Sequence, residues 1–112
     1  MISKKNAEHY VWGQQCDGWR LVNEAGQSII HERMPAGTSE MRHYHVFAKQ
    51  FFFVLSGVMT IEVNGELHTL SMHEGIEVKA KQPHQVFNRS NEEIEFLVIS
   101  QPNTKGDRIA VE

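Results

Sequence analysis

The sequence has little of what staples, stiffens or anchors a chain. Cys16 is the lone cysteine among 112 residues, so no internal disulfide can form, and this usage fits a reducing, cytoplasmic setting. The longest purely apolar run, Phe51 to Leu55, falls far short of the roughly 20 residues that cross a bilayer as a helix. No apolar stretch follows Met1-Ile2-Ser3-Lys4-Lys5, so no signal peptide is expected. Positive charge is also in short supply: 11 Lys and Arg stand against 14 Asp and Glu, for a net charge of −3, and no basic run is present to track phosphates. Nucleic acid and anionic membrane are therefore set aside as partners. No window keeps a 3.6-residue apolar period for ten residues, which leaves no place for an amphipathic helix.

What is present is an ordinary globular composition, 40% hydrophobic and 22% charged, in a length suited to one domain. A chain of this size buries roughly 65% of the surface its unfolded form exposes, enough for a single core. Short apolar or alternating segments recur between breakers. They cover Trp19 to Val22, Ser28 to Met34, Glu40 to Val46, Gln50 to Leu55, Val58 to Val63, Leu67 to Leu70, Ile76 to Ala80, His84 to Asn88 and Ile94 to Ser100. Many short strands with no room for crossover helices predict an all-β fold, an antiparallel sandwich or barrel. The barrel is expected over about 19–100, with Lys4 to His9 forming one helical turn and Ser100 to Arg108 a surface loop. Asn64-Gly65 suits a two-residue hairpin turn, because both residues tolerate positive φ. That register sets Ile61 opposite His68, in conflict with simple alternation, and a bulge or three-residue turn remains an alternative.

Histidine is the one surplus: seven in 112 residues. His43 and His45 are spaced i, i+2 on a predicted strand, so their imidazoles share a face. Gln50 opens the next strand and His84 a later one, and strands converging on one interior point are how a barrel builds a ligand or metal site. Alternation puts Phe52 and Val54 on the face of Gln50 as pocket lining, with Val86 placed beside them two residues from His84. Phe51, Phe53 and Leu55 then face outward. Their cover is either a second subunit or the N-terminal segment carrying Trp12 and Trp19. His9, His31, His68 and His73 have no motif behind them and are read as solvated or hydrogen-bonded bystanders. Cys16 is read as a passive thiol, and Gly57 and Gly75 as turn residues needing unusual φ.

Gly37, His43, His45, Gln50 and Gly57, at spacings x5, x, x4 and x6, resemble the first motif of the cupin superfamily, G-x5-H-x-H-x(3,4)-E-x6-G. Gln50 replaces the usual Glu. His84 to Asn88 is similar to the end of the second motif, G-x5-P-x-G-x2-H-x3-N. The front of that motif departs, with Gly75 closer to the histidine and Lys79 and Lys81 at the usual Pro and Gly. The resemblance covers Gly37 to Asn88. It implies a single cupin domain over 1–112, a small antiparallel β-barrel of the jelly-roll (double-stranded β-helix) type, and dimerisation through sheet faces and swapped edge strands. It implies His43, His45, Gln50 and His84 as ligands of a divalent transition metal (iron, manganese, nickel, zinc or copper), with Asn88 making structural hydrogen bonds.

Gln50 is the informative departure. A neutral amide in place of a carboxylate leaves a site of charge +2 rather than +1, or leaves the ion to the three histidines with an open position and Gln50 as a hydrogen-bond partner beside it; either outcome favours an anionic small-molecule ligand and lowers metal affinity. The functions this implies are a metal-dependent dioxygenase acting on a small anionic metabolite, a Lewis-acid isomerase or decarboxylase, or a non-catalytic barrel binding or sensing a sugar or organic acid. Three neutral histidines with open positions suit Fe(II), which places the dioxygenase first.

Overall fold

The computed structural model describes residues 1–111. Eleven strands run in chain order: β1 (Glu8–Trp12), β2 (Cys16–Glu24), β3 (Gln27–Met34), β4 (His43–Tyr44), β5 (Lys49–Ser56), β6 (Met59–Val63), β7 (Glu66–Leu70), β8 (Gly75–Val78), β9 (His84–Phe87), β10 (Ile94–Gln101) and β11 (Ile109–Ala110). Every pairing is antiparallel. A six-stranded sheet has the order β1-β2-β3-β10-β5-β8, and it faces a five-stranded sheet of order β11-β4-β9-β6-β7. This is the expected all-β jelly-roll barrel.

Alternation fills the space between the sheets. Ile94, Phe96 and Val98 of β10 point inward, as do Phe52 and Val54 of β5, Met59, Ile61 and Val63 of β6, Val86 of β9 and Met34 of β3. The Asn64-Gly65 turn has φ of 53° and 85°, the doubly left-handed form that matches strand twist. Ile61 therefore does sit opposite His68, with no bulge between β6 and β7. The conflict resolves because β7 is an edge strand: Ile61 is buried while the His68 ring, on the same face, reaches the open rim beside Glu66 at 3.4 Å.

Four expectations need correction. Strands β1 and β11 lie outside 19–100, since pairing with β2 and β4 turns both flanking segments into sheet. Residues from Lys4 make a single turn, with the Asn6 and Ala7 N–H groups donating to Ser3 O, and by Glu8 the chain is already strand. Glu40 to Val46 keeps only His43–Tyr44 as strand. The next backbone donors, Val46, Phe47 and Ala48 N–H, go instead to the Asp107 carboxylate at 2.7, 3.0 and 3.0 Å. Gly75 opens β8 with no positive φ, and its missing side chain makes room for Phe51, whose ring would lie 2.4 Å from a Cβ there. Gly57, at φ 81°, fits its expected role.

Phe96 is 1% exposed at the centre of the core and Phe47 is 75% exposed on a loop. We predict that Phe96→Ala lowers the unfolding free energy by about 3–5 kcal/mol in urea titration, and Phe47→Ala by less than about 0.5 kcal/mol.

Candidate metal centre

His43 closes the irregular 40s segment and pairs directly across to His84, the first residue of β9. His45 follows one residue beyond β4, and Gln50 enters from β5 in the opposite sheet. All four are buried, at 3%, 4%, 7% and 1% exposure for His43, His45, Gln50 and His84. One ring nitrogen from each histidine lies within 4.8 Å of the other two.

The tautomers follow from the outer hydrogen bonds. His43 Nδ1–H donates to Met41 O at 2.8 Å, His45 Nδ1–H to Asp107 O at 2.5 Å, and His84 Nδ1–H to Gln82 O at 2.9 Å. Each Nε2 is thereby left as a lone-pair donor aimed inward. His45 Nε2, His84 Nε2 and Gln50 Oε1 are buried with no hydrogen-bond partner among the described residues. The Gln50 Nε2 amide is fixed by donating to Ser100 Oγ at 3.0 Å. Orphaned buried acceptors cost about 1–3 kcal/mol each, and a single cation answers all of them at once. The residues present fit a divalent ion with nitrogen and oxygen donors.

Burial dominates the titration of the cluster. It pushes His43 down to about 3 and His84 down to about 4, against the support of their Nδ1 hydrogen bonds, and it lowers His45 as well. The neutral imidazole that a metal requires is the form present at neutral pH.

His43, His45 and Gln50 line a cavity of about 170 Å³ whose wall also carries Tyr10, Glu32, Glu40 and Arg108. Loss of hydration raises Glu32 to about 8 and Glu40 to about 7, and it pushes the Tyr10 phenol up to about 12. Glu40 Oε2 accepts from Val86 N–H at 3.0 Å, while its Oε1 lies 3.8 Å from Arg108 Nη2 and 3.9 Å from His43 Nδ1. Phe52 lines the cavity; Val54 and Val86 lie in the apolar core rather than on the cavity wall.

Sequence reasoning passed over Tyr10, Glu32, Glu40, Asp107 and Arg108. A signal existed for Glu32: in Ser28-x-Ile30-x-Glu32-x-Met34 it is the one charged residue in the inward phase of its strand. The surface-loop expectation fails at Asp107, which is only 8% exposed. Burial would raise its carboxyl, but donations from the Phe47, Ala48 and Val46 N–H groups outweigh that and hold it below the ordinary range. No local pattern announced Asp107, because its partners lie about 60 residues away. His9 pairs with Asp17, His31 with Glu95 and His68 with Glu66, and His73 stacks on Phe53; none reaches the centre. Burial raises the Cys16 thiol, consistent with a passive group. Asn88 Nδ2 donates to the carbonyls of Met34, Pro35 and Glu92, a structural role.

A sequence model of the cupin domain matches residues 30–100. The tetracenomycin polyketide synthase protein TcmJ of Streptomyces glaucescens is 33% identical over 61 residues, which are 54% of this chain and 41% of that protein. The chain thus spans less than half of that relative's length. A sugar phosphate isomerase of the cupin superfamily from Silicibacter pomeroyi superposes with a TM-score of 0.80 at 18% identity, covering 90% of this chain and 74% of that one. An RmlC-like cupin from Shewanella frigidimarina superposes with a TM-score of 0.85 at 14% identity, covering 94% and 92%. At these identities the two structures speak to fold alone.

The opposed shifts predict a bell-shaped stability profile for the metal-free chain. The three histidines fold neutral, so below their ordinary value of 6.5 the unfolded chain takes up protons first and stability drains as pH falls. Glu32 and Glu40 fold protonated, so their contribution is complete below 4.5 and is lost as pH rises to about 8 and about 7. Three groups outweigh two up to about 6.5, after which only the glutamate loss remains. Urea midpoints measured across this range should peak near pH 6.5, and saturating metal should move the peak upward.

Proposed function

The chain belongs to the cupin family, and on that footing we propose that it holds one divalent transition metal ion and acts on a small anionic metabolite bound beside it. The observation that carries the reading is the convergence of three inward Nε2 atoms with a Gln50 oxygen that has no other partner. His43, His45 and His84 are the nitrogen ligands in this proposal, and Gln50 Oε1 is the fourth donor. Such an ion supplies Lewis-acid polarisation of a chelated oxygen and, where redox-active, activation of dioxygen.

The remaining work falls to the chain. Four uncharged donors leave the ion's full charge in the cavity, which favours an anion. Arg108, half-exposed at the cavity wall, adds a guanidinium held only loosely by Glu40 at 3.8 Å. Phe52 gives the cavity part of its apolar wall. Dioxygenase chemistry is supported by the three neutral histidines, a set suited to Fe(II). A Lewis-acid isomerase or decarboxylase is favoured by a separate observation: two cavity carboxyls, Glu32 and Glu40, placed to hold and move protons near neutral pH.

We also propose a homodimer formed through the outer face of the six-stranded sheet, where Phe51, Phe53, Leu97 and Ile99 cluster on paired strands β5 and β10. A buried free thiol at Cys16 supports a reducing, cytoplasmic setting. No helix among the described residues is long and apolar enough to cross a membrane.

Elemental analysis of chain purified without an affinity-tag column should find a transition metal near one equivalent after reconstitution. Less than about a tenth of an equivalent would sink the metal reading. His84→Ala should abolish retention, and Gln50→Glu should tighten it about tenfold or more while weakening binding of a small carboxylate. Light scattering at micromolar concentration should give twice the mass of one chain, and the mass of a single chain would remove the dimer.

A further inference from the structure

The inward face of β1, β2 and β3 holds an arrangement that metal binding does not use. Gly18 lies between Tyr10 on one side and Glu32 on the other in the sheet register. A Cβ on Gly18 would lie 2.3 Å from the Tyr10 ring and 2.6 Å from its hydroxyl oxygen, so the phenol occupies the space a side chain at 18 would fill. The Arg20 guanidinium stacks on the Tyr10 ring at 4.3 Å and pairs with Glu8 at 3.1 Å, which commits its charge elsewhere. Glu32 is left on the cavity wall with no ion pair or hydrogen bond among the described residues. A carboxyl in that position has one unclaimed partner available, the molecule that fills the cavity.

We infer that Glu32 is the proton carrier of the cavity: it meets the ligand as a neutral carboxylic acid and donates its O–H to an oxygen of the anion held at the histidines. The inference rests on the metal-and-anion reading above and deepens it to a substrate class, a small carboxylate with a neighbouring oxo or hydroxyl oxygen. In that donation the Glu32 O–H bond breaks and an O–H bond forms on the ligand, the negative charge passes from the ligand oxygen to the Glu32 carboxylate, and no C–H bond is broken. The reverse transfer restores both, with no oxidant or co-reactant.

The charged and titratable groups facing Glu32 agree with this role. Loss of hydration dominates, a charged Glu40 on the same cavity wall disfavours a second negative charge, Arg108 opposes both, and the balance holds Glu32 near 8 in the metal-free chain. Tyr10 is itself pushed up and stays protonated, His43 and His45 are neutral, and Arg20 is taken by Glu8. An arriving anion acts in the same direction as Glu40, so the complex holds more protons than its free parts.

The test uses the full chain loaded with Mn(II), whose bound water stays un-ionised near neutral pH, and oxalate as the probe. Calorimetry in two buffers of different ionisation heat reads protons taken up per oxalate. The wild type should take up a fraction of a proton per oxalate between pH 6 and 8.5. Glu32→Gln should take up measurably less over this range, while binding oxalate within about threefold of wild type at its acid end, where the amide stands in for the neutral acid. Equal uptake by the two proteins throughout the range would overturn the role. Failure to retain Mn(II) would count against the metal reading instead. The metal-free wild type, labelled with carbon-13 at glutamate carboxyls, then decides the inference: a Glu32 signal titrating near 8 supports it, and one in the ordinary carboxylate range overturns it.

Discussion

The longer strands present alternate residues to a shared interior, and that interior is dry enough to stabilise the fold yet keeps a cavity lined by polar side chains. Strand β10 meets both demands in one row: Ile94, Phe96 and Val98 supply apolar packing, and Ser100 ends the row beside Gln50. Strand β9 repeats the arrangement with Val86 in the core and His84 at the centre. Polar side chains at row ends lose hydration without losing contact with the cavity. The same burial that keeps three imidazoles neutral raises two glutamates well above the ordinary carboxylate range, so acid and base properties across the site share one cause.

Asp107 joins the flanking segment to this interior. Its carboxylate receives three consecutive backbone donors from the stretch after His45, while its own carbonyl orients the His45 ring. Strand β11 then pairs with β4, and Arg108 between them reaches the cavity wall. One residue therefore fixes a loop that has no sheet partner, a metal-ligand candidate and the approach of a cation. Its buried charge is stable because three N–H dipoles converge on it.

Much of this was legible in the chain's order of residues, for local reasons. Period-two alternation and turn residues are short-range signals, and they placed nine strands and the Asn64-Gly65 hairpin. His43, His45, Gln50 and His84 were readable together because their spacing is itself the pattern. The misses were of another kind. Strands β1 and β11 are amphipathic only in relation to distant partners, and Glu8–Trp12 shows no clean alternation. Asp107 and Arg108 gain meaning only when a segment some 60 residues away folds against them. Glu32 sat in plain view as an inward charge, and its weight depended on Gly18 being empty enough to admit Tyr10.

All three imidazoles are aimed by main-chain oxygens, those of Met41, Gln82 and Asp107. Every residue type carries a carbonyl, so the aiming at positions 41 and 82 tolerates drift in the side chains there, and Met41 projects its own into solvent. The geometry of the centre is inherited through the path of the backbone. Substitutions can therefore alter the rim while the three imidazoles keep their bearing.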